Sequence, residues 1–173
     1  MKIRLGFVSN SSDASFAIPL DRLTPWQIEA IKRHAKLGEL LGISWADDEW
    51  DIVVTHEYIV GDTSMDNFDM DEFLKLIDVP ERAVFRDSAN GHWNTAMPPD
   101  WNEDGAREAI GMATLNRWTG SKPLRGEREY AMSDEEFLKE FLRTKCFETL
   151  EKMAERSDEV RRILSDPDFR IEI

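Results

Sequence analysis

The chain has 173 residues, 41% of them apolar and 33% charged, with six tryptophans and nine phenylalanines. That aromatic load argues against wholesale disorder, and no apolar stretch approaches the roughly 18–20 residues a membrane helix needs. Thirty-five acids against 22 bases leave a net charge of −13. The length fits one globular domain spanning 1–173. A single cysteine, Cys146, has no internal disulfide partner, which suits a reducing compartment, so a cytoplasmic setting is expected. Lys2 and Arg4 interrupt the first apolar residues, so the opening does not read as a secretory signal.

Lys2 to Val8 alternates Ile3, Leu5 and Phe7 with Lys2, Arg4 and Gly6, which predicts a strand. A polar turn over 9–13 leads to Ser15-Phe16-Ala17-Ile18, a returning strand, and together the two predict a first hairpin. Thr24-Pro25-Trp26-Gln27 has the form of a capping box with proline at the first helical position. The helix behind it is expected to run to Leu41 and stop at Gly42. The β-branched and aromatic residues from Trp50 to Val60 predict one long strand or a hairpin, broken at Gly61-Asp62.

Asp69 with Glu72 predicts a second capped helix ending near Val79-Pro80, with Met70, Phe73, Leu74 and Ile77 as its apolar face. Ala83 to Arg86 and His92-Trp93 read as short strands around Asn90-Gly91, and 94–103 as a loop. A helix is expected over 104–118, with Ala109, Met112, Ala113 and Leu115 apolar. Ser133 with Glu136 opens another, carrying Phe137, Leu138, Phe141, Leu142, Phe147, Leu150 and Met153. A last helix is expected from Ser157 to Leu164, and the alternation of Phe169, Ile171 and Ile173 predicts a closing strand. The pattern is that of an α+β fold: a mainly antiparallel sheet that includes the N- and C-terminal strands, packed against about four helices.

The charge is unevenly placed. Residues 41–80 hold one base, Lys75, against eleven acids, a balance of −10, whereas 1–40 carry +2, 81–132 carry −1 and 133–173 carry −4. Direct nucleic-acid binding needs bases clustered along one face, and such a cluster is absent from the sequence. An acidic segment suits a basic protein surface instead. Its candidate contacts are Trp45, Asp47, Asp48, Glu49, Trp50, Asp51, Asp62 and Asp66, with Trp45 and Trp50 as aromatic anchors, although Trp50, like Trp26 and Trp118, also falls in a periodic element that suits the core.

Sequence motifs for familiar chemistry are missing. There is no P-loop and no Gly-x-Gly-x-x-Gly after the first strand. His34, His56 and His92 are far apart and Cys146 stands alone, so no zinc ligand set forms in sequence. The acids over 62–71 lack the central glycine of a calcium loop. No metal or cofactor is expected, and a catalytic residue is not assignable.

Gly6-Phe7-Val8-Ser9-Asn10-Ser11-Ser12, ending in Ser15-Phe16, resembles the opening of a group of small phage, prophage and bacterial proteins of largely unknown function. Asp13 and Ala14 stand where that family usually continues its serine run. The resemblance implies a phage-type accessory protein in a bacterial host cell. Joined to the acidic segment, it gives the leading expectation: a protein that binds a basic host protein as a nucleic-acid-mimicking inhibitor of a nucleic-acid-handling or defence factor. Two alternatives stay open, a nucleotide-using transferase with its site at Ser9, Asn10, Ser11 and Ser12, and a virion or structural component.

Overall fold

A computed structural model describes residues 14–43, 50–63, 68–88, 102–119 and 132–169. The chain divides into two units, each threaded by three segments. The first comprises 1–24, 50–66 and 80–126; the second comprises 25–49, 67–79 and 127–173. The expected strand over 2–8, the strand expected at His92-Trp93 and residues 170–173 of the expected closing strand lie outside the described residues, while Asp168 and Phe169, which open that closing strand, are not in a strand.

In the first unit, the period-two pattern at Ser15–Ile18 becomes β1 (Ala14–Pro19). Trp50 to Val60 resolves into the hairpin of β2 (Asp51–Val54) and β3 (Tyr58–Thr63). Thr55 ties its turn, since Thr55 Oγ1 accepts from the Tyr58 amide at 2.9 Å while the Thr55 amide donates to the Tyr58 carbonyl at 2.8 Å. With β4 (Phe85–Ser88) these strands form an antiparallel sheet in the order β2-β3-β1-β4. β1 is thus an interior strand, paired with β3 over its whole length and with β4 over Ala14–Ala17.

β3 also runs through Gly61 and Asp62, where the sequence suggested a break. Phe16 explains the glycine: a Cβ at Gly61 would overlap the Phe16 ring, which is buried and lies 5.5 Å from the Trp50 ring. The opposite face of the sheet carries α4 (Glu103–Thr119). Ala106, Ile110 and Ala113 of that helix pack on Ala17, Tyr58, Val60 and Phe85. Two alanines at helical spacing let it approach the sheet closely. The apolar face expected from Met112 and Leu115 is corrected: they are 54% and 56% exposed, and Ile110 takes the inward position.

The second unit is helical. The expected helix to Leu41 divides at Arg33 into α1 (Pro25–Lys32) and α2 (His34–Leu40). Gly42 follows with φ +73°, the left-handed stop its type favours. α3 (Met70–Leu76) is capped by Asp69, which accepts from the Glu72 amide at 2.8 Å. It ends at Asp78, a non-glycine residue at φ 59°. Gln27 holds that end, donating from Nε2 to the Ile77 and Asp78 carbonyls at 3.0 Å each.

The helix expected from Ser133 to Met153 divides as well, giving α5 (Asp134–Arg143) with its complete Ser133–Glu136 capping box, then α6 (Phe147–Arg156). α7 (Asp158–Leu164) follows, capped by Ser157. Seven α-helices are therefore present among the described residues, where about four were expected. At the α5–α6 break, Lys145 turns inward to pair with Asp78 and to lie 4.5 Å from the Phe141 ring centroid. The break resets the helical phase, so Phe147 is 68% exposed rather than core.

Trp26 stacks at 4.9 Å on both Phe137 and Phe141, with interplanar angles of 10° and 8°. Arg33 lies over the Phe137 ring at 5.3 Å, so cations flank both phenyl rings that stack on Trp26. His34 is buried, with its ring edge-on to Phe68 and Phe73 and Nδ1 3.0 Å from the Ile31 carbonyl.

Two predictions follow from this packing. Gly61→Ala must displace Phe16, and a cost of about 1–3 kcal/mol is expected, read as a lowered urea midpoint. Burial pushes the His34 pKa down to about 4 against the pull of the Ile31 carbonyl, so the folded imidazole stays neutral while the unfolded one titrates near 6.5. Its contribution is full above that unfolded value and is lost as pH falls toward 4, by roughly 3 kcal/mol in all. His34→Leu should flatten this part of the stability–pH curve measured by urea unfolding from pH 7 to 4.

Candidate functional site

Of the residues proposed from sequence as a contact surface, Trp45, Asp47, Asp48, Glu49 and Asp66 lie outside the described residues, as does the Ser9–Ser12 run. The described remainder divides sharply. Asp51, at the start of β2, is exposed. Trp50 is buried against Phe16, and Asp62 is only 3% exposed. These two are corrected: their side chains serve the interior of the fold and do not offer an anchor or a charge to a partner.

Asp62 lies on β3 beside Ser15 of β1, its register partner, on the sheet face covered by α4 (Glu103–Thr119). Ser15 Oγ donates to Asp62 Oδ1 at 2.7 Å, and Thr114 Oγ1 of α4 donates to the same oxygen at 3.3 Å. A carboxylate taken out of water needs such donors, since an unmet buried charge would cost several kcal/mol. Strand alternation thus sends Phe16 to one face, over Gly61, and Ser15 to the other, onto Asp62. The two residues that end the serine motif are both fixed by the Gly61-Asp62 pair. This pairing was invisible to motif reasoning because those two residues look like a turn in sequence.

The cluster holds two hydroxyls and a carboxylate but no histidine. His34 belongs to the core of the other unit, and His56 sits exposed in the β2–β3 turn. Asp62 is toward the far end of that hairpin, about 13 Å along β3 from Tyr58 at strand rise. His92 lies outside the described residues. A Ser-His-Asp set is therefore not assembled at Ser15 among the described residues. Nor do the described residues hold a group of three His, Cys, Asp or Glu side chains placed to bind a metal ion. Among them, no helix is long and apolar enough to cross a membrane.

Charge regroups when read by unit. The acids of 41–80 separate, Asp51, Glu57, Asp62 and Asp66 falling in the first unit and the other seven in the second. The first unit carries nine bases against twelve acids, a balance of −3, and the second carries 13 against 23, a balance of −10. Ion pairs order some of these charges without changing that balance. Glu135 pairs with Lys139 and Arg162, both at 2.9 Å, and hydrogen bonds from these two hold its carboxyl below the usual range. Glu148–Lys152 and Glu159–Arg162 add further pairs along α6 and α7. Each exposed pair contributes little to stability, so their main effect is to pattern the surface.

If the Ser15–Asp62 bond is a structural tie, removing either side should destabilise and the two losses should not add. A double-mutant cycle with Ser15→Ala and Asp62→Ala, followed by urea unfolding, is expected to give a coupling of about 1–2 kcal/mol. Asp62→Ala should cost more than Ser15→Ala, since it also strips Thr114 of its acceptor.

No family model matches the chain, and neither a curated protein nor a solved structure shows significant similarity to it.

Proposed function

We propose that the chain is a phage-type accessory protein of the bacterial cytoplasm that binds a basic surface on a host protein. By occupying a surface meant for nucleic acid, it would inhibit a nucleic-acid-handling or defence factor. The observation that carries this reading is the −10 balance of the second unit. A charge of that size raises encounter rates with a basic partner and repels duplex phosphates. The serine motif at 9–16 adds the phage-type resemblance.

The proposed contact is the acidic run Asp47-Asp48-Glu49 with Trp45 as its anchor. Asp51, exposed on β2, and Asp66 are further candidate acids that belong to the first unit. Trp50 and Asp62 are removed from the surface because they are buried. The bound target presents lysines and arginines, and no metal or cofactor takes part in recognition.

Capture from bacterial lysate with the full chain, followed by titration of the purified partner, tests the reading. A specific partner is expected, with affinity that falls as salt rises. Reversing Asp47, Asp48, Glu49 and Asp51 to Lys should weaken binding at least about tenfold while the far-ultraviolet circular dichroism stays unchanged. No partner at micromolar protein, or undiminished affinity after reversal, would reject the proposal.

A further inference from the structure

We draw no further inference here: the strongest candidate, the carboxylate pair Asp51 and Asp62 opposed in register across β2 and β3, is an acidic cluster whose buried member is already held by Ser15 and Thr114, and no second observation points to a ligand.

Discussion

The seating of β1 between β3 and β4 is the constraint from which the first unit follows. Phe16 projects to one face of that strand and fills the space where a side chain at position 61 would stand. Ser15 projects to the other and supplies a donor to Asp62. Both contacts fall on two successive residues of β3, so the register of β1 against β3 is specified twice, once by shape and once by hydrogen bonding. A slip of one residue would bury Ser15 against Trp50 and send Phe16 toward Asp62, exchanging the two faces. Once that register is set, Ala17, Val60 and Phe85 form the shallow apolar surface that α4 covers with Ala106, Ile110 and Ala113.

The second unit solves a different problem, namely how to hold helices together in a segment with nearly twice as many acids as bases. Its core is aromatic: Trp26 against Phe137 and Phe141, and His34 between the edges of Phe68 and Phe73. Arg33 and Lys145 stand over the outer rings and are themselves paired, Arg33 with Glu29 and Asp134, Lys145 with Asp78. Two of the few bases are thus spent inside the unit, each satisfying a carboxylate and a ring face at once. The acids left on α5–α7 are patterned by short-range pairs and add to the net negative charge of the unit.

Local signals in the sequence identified helix starts well, because caps are local chemistry. Asp69 and Ser133 cap as their spacing to Glu72 and Glu136 suggests, Ser157 caps the helix expected to start there, and Gly42 adopts the left-handed geometry of a stop. Helix interiors were less legible. The breaks at Arg33 and at Thr144–Cys146 are set by side chains that turn inward to distant partners, and apolar periodicity runs on through both without a mark. The role of Gly61-Asp62 was hidden for the same reason: a glycine and an aspartate signal a turn unless the Phe16 and Ser15 that need them are known to lie opposite. Trp50 sits in a periodic element that already suits the core, whereas burial of Asp62 is a tertiary fact, which is why a charge run read along the chain overstates the contact surface. The −13 total survives as a property of the protein, but most of it belongs to the second unit.

The Ser-Phe ending of the serine motif is a piece of sheet architecture, and the proposed contact centres on the acids of 47–49. Isotope-edited nuclear Overhauser spectroscopy of the full chain tests this most directly. Cross-strand contacts are expected from β1 to both neighbours, joining Phe16 to Gly61 and Ala17 to Phe85. Contacts from Lys2–Val8 to the β1 backbone in place of those to β4 would contradict the central claim, since β1 would then pair within an N-terminal hairpin.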